Sequence, residues 1–179
     1  MTMPHPLTRS AVLTVAAAAA VIGVSSCSTA SAEQPASVAW SHAPHEYQEA
    51  IDSAVGKHGC NGITRDIIAA QMYTGSRFKA VESPSGARGP AQLFPSQWDR
   101  YAPILKATDI NSPTDASNVL VAVNCDNVQE LRSAGIDPNL NNVMEAYVAG
   151  PRAVINPIPQ HYKDIRANVE PLLAAARPA

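Results

Sequence analysis

Apolar residues recur at helical spacing once the first quarter of the chain has passed. Tyr47, Ile51 and Val55 follow one another at intervals of four residues, and Ala54 lies on the same face. Charged residues occupy positions between them, and Gly59 ends the pattern. This periodicity predicts an amphipathic helix that begins at about residue 46 and stops before Gly59.

Helical periodicity continues in five later segments, which predicts a mainly α fold. These helices are expected to start at or near Thr64, Ser96, Asp115, Leu140 and Gln160. Strand-like alternation is scarce, and residues 75–90, which contain several glycines and prolines, are expected to form an ordered loop. Pro171 lies inside the last segment and is expected to kink or divide that helix.

The first 26 to 32 residues have the layout of a secretion signal. Arg9 precedes an apolar, alanine-rich run that ends near Val24 and is too short to cross about 30 Å of hydrocarbon. The lipobox-like V-S-S-C over 24–27 implies lipidation of Cys27 and removal of residues 1–26. Alternatively, A-S-A over 30–32 implies ordinary cleavage after residue 32. We favour the lipoprotein route because every lipobox position is filled.

This N-terminus predicts an exported protein with a short tether. Residues 27–45 are rich in Ser, Ala, Pro and Gln, lack periodicity and are predicted to be a linker. Residues 46–179 then form one folded domain of ordinary size. We expect this domain either to be held at the cell membrane by lipid or to be secreted into the cell envelope.

Composition and charge exclude several kinds of partner. The net charge is −2 at pH 7 and basic residues do not cluster, so a nucleic-acid surface is not expected. Outside the signal no apolar run is long enough to cross a bilayer, which limits the expected membrane contact to the lipid anchor. The stretch His42–Glu46 lacks the H-E-x-x-H spacing of zinc proteases. The sequence therefore predicts neither a metal nor a cofactor.

Two cysteines remain after the signal, Cys60 and Cys125. In an exported protein such a pair is expected to form a disulfide, because the compartment is oxidising. A redox pair or a metal site is the alternative, but the chain has no C-x-x-C and no cluster of histidines. A disulfide would close a loop of about 65 residues, and its two Cα atoms should lie about 4.4–6.8 Å apart.

Three sequence blocks carry a resemblance to a known enzyme family. They read C-N-G-I and I-I-A-A-Q-M within 60–72, S-P-S-G-A-R-G-P-A-Q-L-F-P-S-Q-W over 83–98, and A-Y-V-A-G-P over 146–151. In this order they resemble the soluble lytic transglycosylases, goose-lysozyme-like enzymes that cleave the glycan strands of peptidoglycan. The stretch N-S-P-T-D-A over 111–116 also resembles a helix start of that family. The resemblance spans about residues 60–162 and implies a lysozyme-like fold.

The resemblance also implies which residues would form the site. The family's catalytic acid is the Glu of a Glu-Ser-Gly-Phe motif, and it protonates the leaving glycosidic oxygen. In this chain the aligned residues 75–78 read G-S-R-F. Gly75 therefore stands at the acid position and has no proton to give. Substrate contacts are implied for Ser76, Gln92 and Tyr147.

Two further departures from the family pattern support a loss of catalysis. Arg77 replaces the small glycine of the acid motif, and Val148 replaces an Asn that makes several hydrogen bonds. The side chains of Phe94 and Trp98 are expected to pack under the loop. The resemblance thus implies a transglycosylase-like domain without standard catalysis, which binds peptidoglycan glycan strands or a cell-wall protein, or serves as a scaffold.

Two other functions stay open on the sequence alone. One is an active lytic transglycosylase with a displaced acid, for which Glu82 is the leading candidate, ahead of Glu145 and Asp99. The alternative for each of these residues is that it is an ordinary solvated carboxylate at the surface without a catalytic role. The other function is a surface protein-interaction module on the same fold. An open cleft at Gln92 would favour sugar binding, whereas a cleft filled by Arg77 would favour the interaction module.

Overall fold

Helices dominate the part of the chain that the structure describes. The computed structural model describes residues 35–159 and 162–179. The predicted signal, both of its processing sites and Cys27 lie outside these residues. Within the described ranges there is no strand, and only isolated β-bridges are formed. The predicted mainly α fold is therefore confirmed.

The helices that hydrophobic periodicity predicts are present and start close to the expected residues. In chain order the described helices are α1 (Val38–Ser41), α2 (His45–His58), α3 (Arg65–Ser76), α4 (Pro95–Leu105), α5 (Pro113–Ser133), α6 (Leu140–Ala149), α7 (Pro151–Ile155) and α8 (Tyr162–Ala176). Helix α8 continues through Pro171 as one element, so the predicted division does not occur. None of these described helices is both long and apolar enough to cross a bilayer.

Helix α1 lies within the segment 27–45 that the sequence predicts to be a linker. Its Ala39 and Trp40 are buried in the core, and the guanidinium of Arg65 lies 4.7 Å from the centre of the Trp40 ring. The Ser37 side chain accepts a hydrogen bond from the Trp40 N–H, and the Val38 N–H donates to the Arg177 carbonyl. Residues 38–45 thus belong to the folded domain. The prediction of linker was wrong there because a single helical turn is too short to show periodicity.

Helix α3 forms the centre of the core. It packs against α1, α2, α5 and α8, and its Ile68, Ala70 and Met72 are fully buried. Its start is fixed as the sequence predicts, because the Thr64 hydroxyl accepts a hydrogen bond from the Ile67 N–H at 3.4 Å. This packing on all sides holds the C-terminal end of α3, at residues 74–76, in a fixed position.

A buried pair of amide side chains joins α3 to α5. Gln71 and Asn124 have no exposed surface. Gln71 Nε2 donates to Asn124 Oδ1 at 2.9 Å, and Asn124 Nδ2 donates to Gln71 Oε1 at 2.8 Å. Asn124 Nδ2 also donates to the Leu120 carbonyl at 2.9 Å. The two amides satisfy each other inside an otherwise apolar core.

Replacing one partner of this pair should destabilise the domain strongly. We expect Gln71→Leu or Asn124→Leu to lower the free energy of unfolding by about 1–3 kcal/mol, because the remaining amide is left buried without its partner. The double variant Gln71→Leu/Asn124→Leu should lose less than the sum of the single variants. Urea denaturation measures these losses. Gln129→Leu, at an exposed position on α5, is the control. Strictly additive losses would contradict the pairing.

The predicted disulfide between Cys60 and Cys125 is confirmed. Their Cα atoms lie 5.7 Å apart, within the expected range. Cys60 lies between α2 and α3, and Cys125 lies within α5. The bond therefore closes a covalent loop that contains α3, the loop after it and α4.

Candidate functional site

A cavity of about 380 Å³ lies where the end of α3 meets the following loop and helices α4, α6 and α8. Hydroxyl groups are contributed by Thr74, Ser83, Ser85 and Tyr147. Amide side chains are contributed by Gln92, Gln97 and Asn168. Apolar surface comes from Ala87, Phe94, Val148 and Leu172, and Gly75 completes the lining. The cavity is therefore neutral, with polar groups and an apolar component side by side.

Three residues that the motifs single out come together in this cavity. A Cβ atom built on Gly75 would lie 3.0 Å from Gln92 Cγ and 3.7 Å from Tyr147 Oη. Gly75 belongs to α3, Gln92 to the loop between α3 and α4, and Tyr147 to α6. The motif positions that are distant in sequence thus form one site.

Ser76 does not line the cavity. Its side chain is buried, and its hydroxyl lies 3.0 Å from the Met72 carbonyl and 2.7 Å from the Pro90 carbonyl. A serine hydroxyl has one hydrogen to donate, and these two carbonyls take it. Ser76 therefore fastens the loop to the end of α3, and this geometry does not support the predicted contact with substrate.

Gln92 holds the loop with its side chain. Its backbone φ is 48°, a left-handed conformation that is uncommon outside glycine. Gln92 Nε2 donates to the Val81 carbonyl at 3.1 Å and to the Gly89 carbonyl at 2.9 Å. Both amide hydrogens are thereby used within the loop. Gln92 Oε1 forms no hydrogen bond with the described residues and remains an acceptor for a ligand.

Tyr147 brings a hydroxyl donor to the same cavity. Burial raises the pKa of Tyr147 to about 12, so the phenol is protonated at neutral pH. Among the described residues no side chain or backbone group forms a hydrogen bond with this hydroxyl. The hydroxyl is consequently available to a ligand beside Gln92.

The loop owes its shape to glycines, as the sequence predicts for residues 75–90. Gly89 has a φ of 72°, and a Cβ built there would lie 2.6 Å from the Ile110 carbonyl oxygen. Only glycine satisfies both conditions. The loop is thereby pressed against the segment before α5, which fixes the wall of the cavity that carries Gln92.

The carboxylates considered as substitute acids lie elsewhere. Glu82 is exposed, and its Oε2 lies 3.5 Å from Arg88 Nε. Asp99 lines a separate small crevice beside Trp98. Glu145 is partly exposed on α6 and does not line the cavity. Within the described residues, then, the cavity contains no carboxylate, and no Lys, Arg or His either.

Arg77 leaves the cavity open. Its backbone is left-handed with φ 56° and forms the C-cap of α3. The guanidinium lies 3.9 Å from the centre of the Tyr73 ring, and Arg77 Nη1 donates to the Tyr73 carbonyl. The long cation is thus held against the exposed side of α3 and does not line the cavity.

Phe94 is more exposed than the sequence predicts. Phe94 as a whole residue is 43 % exposed and lies at the edge of the cavity, although the sequence predicts packing under the loop. Trp98 does pack partly against the core. The lining amides Gln97 and Asn168 were not predicted: Gln97 lies in the 83–98 block without a role assigned to it, and Asn168 lies outside every block. Gln97 also borders a neighbouring groove of about 700 Å³ between α4 and α5, so the two depressions are adjacent.

Comparison with family models and curated proteins assigns no family to this chain. No protein-family model matches the chain, and no curated protein matches it. Function has to be inferred from the motifs and from the chemistry of the cavity. No group of three or more His, Cys, Asp or Glu side chains suited to a metal ion occurs in the described ranges.

Proposed function

We propose that this protein binds peptidoglycan glycan strands in the cell envelope without cleaving them. The domain would be a lytic-transglycosylase-like, lysozyme-like module, exported and anchored through lipid on Cys27 or secreted. One observation carries the proposal. Gly75, Gln92 and Tyr147 meet in one neutral cavity that has hydrogen-bonding groups but no carboxylate.

The chemistry of the cavity suits an N-acetylated sugar. Gln92 Oε1 would accept a hydrogen bond from an acetamido N–H or a sugar hydroxyl, and the Tyr147 hydroxyl would donate one. The half-exposed Phe94 ring offers a flat apolar surface to the face of a sugar ring. The neighbouring groove, which also borders Gln97, would offer a second surface to a strand longer than one sugar.

The lack of cleavage follows from the lack of an acid. Glycoside cleavage by this family's route needs a protonated carboxyl beside the scissile bond, in a poorly solvated pocket. Gly75 supplies none, and Glu82 is exposed and faces Arg88. The protein-interaction module remains the competing proposal, and binding of a defined sugar distinguishes it from glycan recognition.

Chitin tetramer should bind to the wild-type protein, and Tyr147→Phe should weaken this binding by about three- to tenfold. The variant removes a hydroxyl that has no partner among the described residues, so affinity falls by about one hydrogen bond while the melting temperature stays nearly unchanged. Titration calorimetry and thermal melts measure the two effects. Tyr73→Phe, outside the cavity, is the matched control and should keep full affinity.

Affinity for the tetramer should also be flat between about pH 5 and 9. Among the described residues that line the cavity, Tyr147 alone is titratable, and its pKa of about 12 keeps it protonated throughout this range. Absence of heat with the wild-type protein, together with no co-sedimentation with insoluble peptidoglycan, would overturn glycan binding and leave the interaction module.

A further inference from the structure

The space beside Gly75 is filled by the Gln92 side chain. A Cβ at residue 75 would lie 3.0 Å from Gln92 Cγ and 3.6 Å from Gln92 Cβ, and the first contact is closer than side chains normally tolerate. Gly75 lies in the last turn of α3, where alanine is ordinarily more stable than glycine. The glycine is therefore unfavourable for the helix, but it leaves Gln92 in place where a Cβ would require it to shift.

Gln92 has little freedom to move away from this contact. Its Nε2 is bonded to both the Val81 and the Gly89 carbonyls, and the Gly89 N–H donates to that same Val81 carbonyl at 2.9 Å. Gly89 in turn is pressed against Ile110. A side chain at residue 75 has to push against a glutamine that joins both sides of the loop.

We propose that Gly75 is a positioning residue, whose missing side chain lets Gln92 lie across the end of α3 and lock residues 81–92 as a rigid wall of the cavity. Gln92 Oε1 is then held ready for a ligand before the ligand arrives. The role of Oε1 toward a sugar rests on the function proposed above, whereas the locking of the loop does not. One consequence is that a new side chain at residue 75 cannot be added without moving Gln92.

A double-mutant cycle of Gly75→Ala and Gln92→Ala tests the coupling. In the wild-type background Gly75→Ala should lower the melting temperature and speed hydrogen exchange of the Gly89 amide by about tenfold, because Gln92 is displaced. In the Gln92→Ala background the same substitution should raise the melting temperature, because only the helix preference for alanine remains. Gly56→Ala in α2, where a Cβ has nothing within 4 Å, should be stabilising in both backgrounds.

Affinity for chitin tetramer gives the second readout. Gly75→Ala should weaken binding by about tenfold in the wild-type background and have little further effect in Gln92→Ala. The wild-type protein could bind no sugar while Gly75→Ala still lowers the melting temperature in the wild-type background and raises it in the Gln92→Ala background. In that case the function proposed above fails and the coupling stands. If Gly75→Ala stabilises both backgrounds equally and leaves Gly89 exchange unchanged, the coupling is wrong, whether or not sugar binds.

Discussion

Peptidoglycan incubated with this protein should release anhydro-muropeptides no faster than peptidoglycan in buffer. A positioned acid–base group typically accelerates such a reaction by about 10²–10⁴-fold, and this cavity has none within the described residues. Gly75 stands where the resemblance implies the acid. Mass spectrometry of the soluble products, with an active transglycosylase as the positive control, measures the release.

Variants at two positions test the reason for this inactivity. Gly75→Glu alone should stay inactive, because its Cβ would lie 3.0 Å from Gln92 Cγ and the new carboxyl would not reach a defined position. Glu82→Gln should change nothing, because Glu82 is exposed and paired with Arg88. Robust release by the wild-type protein that disappears in Glu82→Gln would establish a displaced acid and contradict the proposed function.

Much of this site is predictable because local motifs position it. The glycines and prolines of residues 75–90 indicate an ordered loop, and Gly75 and Gln92, near its two ends, lie close together in the structure. Tyr147 comes from a distant helix, and only the resemblance suggested a place for it in the same site. The helices are predictable for a similar reason, since each repeats its apolar residues over several turns. Features that depend on residues near one another in the sequence are therefore the ones that the sequence predicts well.

Features that depend on distant partners are not predictable in this way. Ser76 has the same hydroxyl whether it binds sugar or the Pro90 carbonyl, and only the loop's path decides between the two. The Gln71–Asn124 pair joins residues 53 positions apart, and the local sequence of neither helix indicates which partner the buried amide meets. The exposure of Phe94 likewise depends on how the loop meets α4. In each case the deciding contact comes from another element.

Loss of the disulfide should cause the largest change in stability. We expect Cys60→Ser/Cys125→Ser to lower the free energy of unfolding by about 4 kcal/mol, since the bond closes a loop of 65 residues in the unfolded chain. For a domain of this size that corresponds to a fall in melting temperature of roughly 15 °C. Calorimetry of the oxidised protein, the reduced protein and the double variant measures the difference.

The cavity itself should survive this loss at temperatures below the transition. Helices α2 and α5 pack against each other over much of their length, which keeps residues 60 and 125 close even without the bond. The reduced protein at 15 °C should therefore bind chitin tetramer within about twofold of the oxidised protein, because the disulfide acts mainly on the unfolded state. A loss of less than about 1 kcal/mol in the double variant would contradict the chain-entropy account. A large loss of sugar affinity with only a small loss of stability would instead show that the bond holds α3 and the cavity loop in place.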